Sequence, residues 1–336
     1  MKITVARDQL LNALRLVANV VNVRTPVPVL TTILAETEEG FLHLSGTDME
    51  MSIRTTIPAV VEEAGCATLP ARKIVQIVGA LPNGDVQLHT DETQNTSVSC
   101  KKAFFRILGL DPKEYPRDSD FVEDWSFSMP GSELRRSLGK VSYCTSADET
   151  RHVLSGILLS VRQGLMTVAA TDGRRLALVE RHLNGEGIPD GDVILPAKGV
   201  AELSRMLEGE GDVTIRLSES KAAFEFGTTR LETKLVEGSY PNYRQVVPAA
   251  FAHSVAMPRL PLAEALNRVG MVVSETSGAV RMNLSSAEMV VSATSPEVGE
   301  AKEPIEVSYE GDPLAIAFNP VFFTEPVKQL ECDQVI

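Results

Sequence analysis

The segment ITVARDQLLNAL at residues 3–14 is an extended stretch that leads directly into an amphipathic helix, and it recurs twice in the chain. Its counterparts are FSMPGSELRRSL at 127–138 and VAMPRLPLAEAL at 255–266. Each copy places apolar residues at helical spacing after a short extended start, which predicts one strand followed by one helix. Similarity at a regular interval indicates repeated structural units, so this pattern determines the organisation of the whole chain.

Other landmarks keep a period of about 124 residues. Thr-based turns after strands, prolines before helical segments and Tyr-Pro pairs all recur at intervals between 123 and 126 residues. These landmarks are Thr47, Thr171 and Thr294; Pro70, Pro196 and Pro320; and the pairs at 115–116 and 240–241. The period is too long for one solenoid unit, so each repeat is predicted to be a domain with its own core.

The repeats predict three tandem domains, at residues 1–121, 122–247 and 248–336. Alternating apolar residues at 86–90 and 213–217 are typical of half-buried antiparallel strands. Together with two helices in each domain, these strands predict the class α+β, with antiparallel sheet dominant.

The third repeat is expected to be shorter than the other two. The interval from Pro70 to Tyr115 is 45 residues and that from Pro196 to Tyr240 is 44 residues. The same interval counted from Pro320 would end about 28 residues beyond position 336, which corresponds to some three strands.

The composition is that of a globular protein. Of the 336 residues, 43% are hydrophobic and 23% charged, and the formal net charge of −13 argues against nonspecific adhesion of the whole surface to nucleic acid. No apolar run has the length of a membrane span, and the first residues lack the apolar region of a secretory signal. Four scattered cysteines without a CxxC pair predict reduced thiols and a cytosolic protein.

The positive charges are concentrated in the predicted helices. These six segments hold 12 Lys or Arg against 5 Asp or Glu, a net charge of +7 within a chain of net charge −13. They are residues 6–20, 70–81, 132–143, 196–207, 258–270 and 320–330. Lys and Arg solvate many exposed helix faces, but segregation over all six helices favours contact with phosphates, which carries no base specificity.

No catalytic motif is present in the sequence. It lacks a phosphate loop, a serine-hydrolase elbow, the zinc motif HExxH and paired CxxC, and its five histidines are too far apart for metal-ligand spacing. Gly185, Gly187 and Gly191 have the wrong spacing for a dinucleotide fingerprint and indicate an acidic loop. Asp118 and Asp120 are interpreted as a solvated charge run in a linker rather than a metal pair. The sequence therefore predicts neither catalytic activity nor a metal nor a cofactor.

The segments ATDGRRLA at 170–177 and SYPNYRQVVP at 239–248 form a specific combination. With the repeats, they resemble the bacterial DNA polymerase III beta subunit family, the sliding clamps, over essentially all 336 residues. The resemblance implies a head-to-tail homodimer of three-domain subunits, with sheets outside and helices lining a central hole for duplex DNA. It also implies a cytoplasmic, nucleoid-associated processivity factor without its own catalytic site.

The resemblance implies three sets of site residues. The pocket for partner peptides, between the second and third domains, matches Leu154, Thr171, Gly173, Arg174, Arg175, Leu176, Pro241 and Val246. The DNA-facing cations are Arg24, Arg72, Lys73, Arg136, Lys140, Lys198 and Arg268. The dimer interface would bring Phe105 and Ile107 of one subunit to Val272 and Val273 of the other.

The pocket is expected to be apolar with a basic rim and to accept short peptides that have Gln and Leu/Phe anchors. In the family, the partners are the polymerase III catalytic subunit, the clamp loader, and other polymerases and repair proteins with such a motif. Taken without the resemblance, Leu176 and Val246 are better interpreted as core residues and 171–173 as a plain turn. The family's last strands and tail, which line the same pocket, are absent from the sequence, which indicates a shortened chain or an incomplete third domain.

Two alternatives stand beside the clamp. A clamp relative that binds peptides as a scaffold or inhibitor, without being loaded on DNA, is suggested by the short third repeat. An enzyme with an unrecognised site is suggested by chain length alone.

Overall fold

The computed structural model describes residues 1–117, 121–185, 187–273 and 278–336. These residues form two compact units. The first unit contains residues 1–138, 148–168 and 180–238, and the second contains 139–147, 169–179 and 239–336.

Among the described residues, six α-helices and 23 strands follow one another in an order that occurs three times. The first repeat contains β1 (Lys2–Ala6), α1 (Arg7–Ala18), β2 (Thr32–Glu38), β3 (Phe41–Thr47), β4 (Met51–Pro58), β5 (Val60–Glu63), β6 (Cys66–Pro70), α2 (Ala71–Ala80), β7 (Asp85–Thr90), β8 (Asn95–Cys100) and β9 (Ala103–Leu108). The second contains β10 (Trp125–Pro130), α3 (Gly131–Ser142), β11 (Gly156–Arg162), β12 (Leu165–Thr171), β13 (Leu176–His182), β14 (Gly191–Pro196), α4 (Ala197–Met206), β15 (Asp212–Leu217), β16 (Lys221–Phe226) and β17 (Thr229–Lys234). The third contains β18 (Met257–Pro258), α5 (Arg259–Gly270), β19 (Val280–Leu284), β20 (Glu288–Ser295), β21 (Gly299–Glu306), β22 (Leu314–Phe318), α6 (Pro320–Gln329) and β23 (Gln334–Val335).

The order strand, helix, four strands and helix is common to all three repeats, apart from the extra β5 in the first; three strands follow in the first two repeats and one in the third. All six predicted helices are present, with ends within two residues of the predicted bounds. The prediction of an α+β protein in which antiparallel sheet dominates is therefore confirmed. The strands predicted at 86–90 and 213–217 are β7 and β15.

One sheet is shared by the first two repeats. Its eight strands lie in the order β10-β15-β16-β17-β4-β3-β2-β6, and β17 pairs antiparallel with β4 so that Leu231 lies opposite Ile53. The other sheets have the orders β5-β1-β7-β8-β9, β13-β12-β11-β14, β18-β23 and β21-β20-β19-β22. The last strand of the second repeat thus extends a sheet of the first, within a single compact unit.

The repeated prolines mark the change from strand to helix. Pro70 and Pro196 are the last residues of β6 and β14 and stand immediately before α2 and α4. The backbone N–H of a residue just before a helix has no hydrogen-bond partner within that helix. Proline, which has no N–H, therefore costs the helix no hydrogen bond at these positions. Pro320 lies one position later, as the first residue of α6, where the side chain of Asn319 accepts from the Val321 N–H.

The helices are held by apolar faces. In the first unit, α1 buries Leu10, Leu14 and Val17. In the second unit, a separate core joins α5, through Leu262 and Leu266, to the sheet of β19 and β20 and to Val327 of α6. Burial of these side chains is the main stabilising contribution of each unit.

All four cysteines are free thiols. None of the helices among the described residues is long and apolar enough to cross a membrane. Over the same residues, no group of three or more His, Cys, Asp or Glu side chains is arranged to hold a metal ion. Asp118 and Asp120, considered above as a metal pair, lie outside the described residues.

Candidate functional site

The turn after β12 is built around one carboxylate. The Asp172 carboxylate oxygen Oδ1 accepts the backbone N–H groups of Arg174 (2.9 Å) and Arg175 (3.0 Å), and the Thr171 hydroxyl donates to the Arg175 carbonyl at 2.6 Å. Gly173 has φ of +85°, a conformation that side chains disfavour. These bonds fix the direction in which β13 leaves the turn.

The same turn occurs in the first repeat. There Asp48 accepts the N–H groups of Glu50 (3.0 Å) and Met51 (2.8 Å), and the Thr47 hydroxyl donates to the Met51 carbonyl at 2.9 Å. The periodic threonines found in the sequence therefore have a structural role in two repeats. In the third repeat, Ser295 rather than Thr294 accepts the Glu297 N–H, at 3.3 Å.

Arg175 connects three distant segments of the second unit. Its guanidinium donates Nε–H to Asp172 at 3.1 Å and an Nη2–H to the Tyr143 carbonyl at 2.9 Å, and its Nη1 lies 2.5 Å from Glu325 of α6. It also lies over the rings of Tyr143 and Phe322, 5.3 and 4.9 Å from their centroids. Stacking and ion pairing together hold this planar group in one orientation.

Two groups with shifted pKa values border this cluster. Burial raises the pKa of Tyr143 well above its usual range and also raises that of the Cys144 thiol, so both stay neutral near pH 7. Burial opposes ionisation of Asp172, yet the N–H donors of Arg174 and Arg175 and the Arg175 guanidinium lower its pKa below 3.8. The cluster therefore contains one cation and two carboxylates at neutral pH.

Tyr240 ties the Tyr-Pro segment to the same turn. Its hydroxyl oxygen accepts the Thr171 N–H at 3.0 Å, and burial raises its pKa to about 12. In the first repeat, the Tyr115 hydroxyl is bonded to the equivalent strand in the opposite sense, because it donates to the Ser45 carbonyl at 3.2 Å. The recurring tyrosines thus anchor each linker to the strand that precedes the turn.

The structure brings most of the predicted pocket residues into the second unit. This group comprises Thr171, Gly173, Arg174, Arg175, Leu176, Pro241 and Val246, whereas Leu154 belongs to the first unit. Leu176 is half-buried, and Arg174, Pro241 and Val246 are exposed, Val246 to 70%. Of the two arginines expected to form a basic rim, Arg174 is exposed, whereas the charge of Arg175 is paired with the carboxylates of Asp172 and Glu325.

The predicted DNA-facing cations differ in their surroundings. Arg24, Arg72 and Lys73 are exposed in the first unit. Lys198 is paired with Asp48, and Arg268 contacts Glu303 at 2.9 and 2.6 Å and Glu264 at 3.3 Å. Arg136 is exposed and Lys140 half-buried, both on α3.

The residues predicted at the dimer interface lie in two different places, an edge strand and the segment after a helix. Phe105 and Ile107 belong to β9, an edge strand, and are 39% and 9% exposed. Val272 and Val273 follow α5 and pack partly buried against the core of the second unit.

Sequence reasoning missed Tyr143, Phe322 and Glu325 around Arg175. Tyr143 is 32 residues from Arg175 along the chain, and Glu325 is 150 residues away. No motif marks them, since an isolated aromatic or acidic residue on a helix has many ordinary roles. The repeat period could only have shown that α6 corresponds to α2 and α4.

Comparison with known proteins matches the whole chain to one family. Residues 1–119, 128–242 and 244–336 match the N-terminal, central and C-terminal domains of the DNA polymerase III beta subunit. The beta sliding clamp of Chlamydia muridarum is 33% identical over 98% of this chain and 90% of its own length. That of Pseudomonas aeruginosa is 34% identical over 100% of this chain and 92% of its own length.

Solved structures agree with these sequence matches. The crystal structure of the DNA polymerase III subunit beta from Pseudomonas aeruginosa has a TM-score of 0.94 at 32% identity, covering 99% of this chain and 92% of that chain. The sliding clamp from Bartonella birtlesii bound to griselimycin has a TM-score of 0.93 at 31% identity, covering 99% and 91%.

Proposed function

The chain belongs to the DNA polymerase III beta subunit family, the beta sliding clamps, and from this membership we propose that it encircles duplex DNA as a head-to-tail homodimer. In this role it keeps the replicative polymerase at high effective concentration on its template. The family consists of processivity factors and not of catalysts. Three matched domains over the full chain are the observation that supports this function most strongly.

The joint between the first two repeats suggests how two subunits close a ring. β9 is the counterpart of β17, and β21 is the counterpart of β4. β9 and β21 are edge strands of their sheets. Unpaired edges invite pairing with another chain, and a head-to-tail contact that closes yields a ring. We therefore propose that β9 of one subunit pairs with β21 of the other.

The register of the internal joint can be carried over to this contact. Leu231 lies opposite Ile53 and Glu232 opposite Ser52. The equivalent positions place Phe105 opposite Ala301, and Arg106 opposite Glu300, of a second copy. Leu231 is fully buried, whereas Phe105 is 39% exposed in the single chain, so pairing would bury an aromatic side chain. The proposed contacts of Phe105 and Ile107 with Val272 and Val273 would lie beside this pairing.

Reversal of one charge tests the register. Arg106→Glu would face Glu300 of the second copy, and we expect the dimer dissociation constant to rise at least about tenfold, because like charges directly opposite each other repel. The double variant Arg106→Glu with Glu300→Arg is expected to recover most of the affinity. Sedimentation over a dilution series measures both. An unchanged constant, or a double variant no tighter than the single one, would refute this register.

The candidate cations are proposed to contact phosphates without reading bases. Their contribution to the affinity for DNA is expected to be largest for Arg24, Arg72 and Lys73. It is expected to be smaller for Lys198 and Arg268, because carboxylates already pair with them. Arg136 and Lys140 of α3 complete the proposed set.

The pocket residues are proposed to dock short peptides with Gln and Leu/Phe anchors. Their sources are the polymerase III catalytic subunit, an ATP-driven clamp loader, and other polymerases and repair proteins that carry such a motif. The protein itself then needs no bound cofactor, and it would act in the cytoplasm at the nucleoid.

Retention on circular DNA tests the encircling function. The protein is loaded on nicked circular DNA, washed at high salt, and followed before and after the circle is cut. Retention that disappears on linearisation is expected, because a topological link ends when DNA ends appear. Salt-sensitive binding that is indifferent to DNA ends would overturn the proposal, and peptide binding without any loading would favour a scaffold relative.

A further inference from the structure

The Arg175 guanidinium is surrounded by protein groups. Three of its nitrogens face Asp172, the Tyr143 carbonyl and Glu325, and its central carbon lies 5.3 and 4.9 Å from the ring centroids of Tyr143 and Phe322. Of its five N–H donors, two make hydrogen bonds, and Nη1 is occupied by the ion pair with Glu325. The charge of Arg175 is therefore already engaged by groups of the protein itself.

Glu325 is the charged group that the third repeat supplies to this arrangement, beside Phe322 of the same helix. Its Oε2 and the Arg175 Nη1 are both shielded from solvent, although the Glu325 side chain as a whole is 38% exposed. The contact is an ion pair rather than a well-aligned hydrogen bond. Shielded charges are screened less by salt than exposed ones, so this pair influences nearby charges at physiological ionic strength.

The charge balance around Arg175 is negative. Asp172 and Glu325 together carry two negative charges against one guanidinium, and the neighbouring Tyr143 and Cys144 stay neutral. The nearest exposed cation in sequence, Arg174, lies on the same turn. A peptide that brings a carboxylate to Arg175 must therefore approach two carboxylates that already occupy it.

We propose that Glu325 is a specificity-determining positioning residue: it neutralises Arg175, holds it beside Tyr143 and Phe322, and makes the pocket select an uncharged anchor over an acidic one. This inference rests on the proposed docking of peptides. Glu325 acts through Arg175 and does not itself need to touch the peptide. Selection against an acid follows because discrimination often depends on a repulsive element as well as on attractive contacts.

The test compares two synthetic peptides on the full-length protein. One has Gln and Leu/Phe anchors, and the other is identical except that Glu replaces the anchoring Gln. The wild type is expected to bind the neutral peptide more tightly. In Glu325→Gln, which keeps the size of the side chain, the preference is expected to fall on the order of tenfold, the scale of one unit charge a few ångströms away in partly shielded surroundings.

Two variants serve as controls. Glu325→Asp retains the charge and is expected to retain most of the preference. Glu297→Gln removes a charge from an exposed turn elsewhere in the second unit and is expected to leave the preference unchanged. Titrations at low and high salt add a second readout, since acidic-peptide binding to Glu325→Gln is expected to weaken more with salt than neutral-peptide binding.

A structural role alone predicts a different result. If Glu325→Gln lowered both affinities by the same factor, or left both unchanged, the specificity role would be refuted while docking itself stood. If the wild type bound neither peptide, the docking proposal would fail and this inference with it.

Discussion

Asp91 controls the turn between β7 and β8 through one side chain. Its Oδ1 accepts the Thr93 hydroxyl at 2.6 Å and the N–H groups of Thr93 (2.9 Å) and Asn95 (3.0 Å), while Oδ2 lies 2.9 Å from Arg106. The Thr93 hydroxyl bond first, and then the Asn95 and Thr93 N–H groups and the Arg106 charge, lower the pKa of Asp91 to about 2. The ionised form is thus the one that the folded turn prefers.

This shift predicts how the turn responds to acid. Because the folded pKa lies below the ordinary value of 3.8, the stabilisation is complete above about pH 4 and is lost as the pH falls towards 2. Amide-exchange protection of residues 91–95 is expected to fall in that range in the wild type. Asp91→Asn is expected to show lower protection at pH 6 and little further change on acidification. Equal protection of both proteins at pH 6 would refute the assignment.

At the scale of residues, the sequence indicated which side chains belong to the candidate site, but not the groups with which they form hydrogen bonds and ion pairs. Thr171, Arg175 and Tyr240 were found because they recur or match a motif. Their hydrogen bonds, and the ion pair of Arg175 with Glu325, join side chains that are far apart in the chain and unmarked by any period. Such pairs arise from tertiary packing, which no local pattern records.

At the scale of elements, α1 lies unusually close to β3 at Gly46. A methyl group added at Gly46 would lie 2.7 Å from both the carbonyl oxygen and a side-chain carbon of Val17. The helix would have to move off the sheet that it covers. The absence of a side chain at Gly46 therefore sets the distance between these two elements.

Substitution of this glycine is expected to be costly. Gly46→Ala is predicted to lower the free energy of unfolding by about 1–3 kcal/mol, because overpacking displaces α1. Gly139→Ala, on α3 with no atom within 4 Å of the new methyl group, is expected to be neutral or to stabilise by up to about 1 kcal/mol. Denaturant unfolding, with amide exchange in α1 to locate the change, measures both. Equal stability of the two variants would contradict this account of Gly46.

The helices were predictable as elements because apolar residues at helical spacing occur beside prolines and polar faces. The joint between β17 and β4 was not predicted. Alternation along a strand shows that one face is buried, but it does not identify the strand on the other side of an edge. Each repeat was predicted to have its own core, and the structure adds that the first two repeats share one eight-stranded sheet.

At the scale of the whole molecule, the proposed clamp would bind DNA through two separable contributions, charge and topology. Basic helices attract phosphates electrostatically, and because salt screens this attraction, its contribution to affinity falls as the salt concentration rises. A closed ring holds DNA even when that attraction is screened. A variant with fewer cations is therefore expected to lose salt-dependent affinity while it keeps topological retention.

Arg72 and Lys73 at the start of α2 allow this separation to be measured. Removal of two phosphate contacts is expected to reduce the slope of log affinity against log salt by about 1.8, at roughly 0.9 per contact with duplex DNA. The double variant Arg72→Ala with Lys73→Ala is titrated with a short duplex, without loader, over a range of salt. Lys113→Ala removes an exposed charge outside the six helices and is expected to leave the slope unchanged. Identical slopes for the wild type and the double variant would place these two cations away from DNA. A reduced slope with unchanged retention on nicked circles would assign salt-dependent affinity to the helices and retention to ring closure.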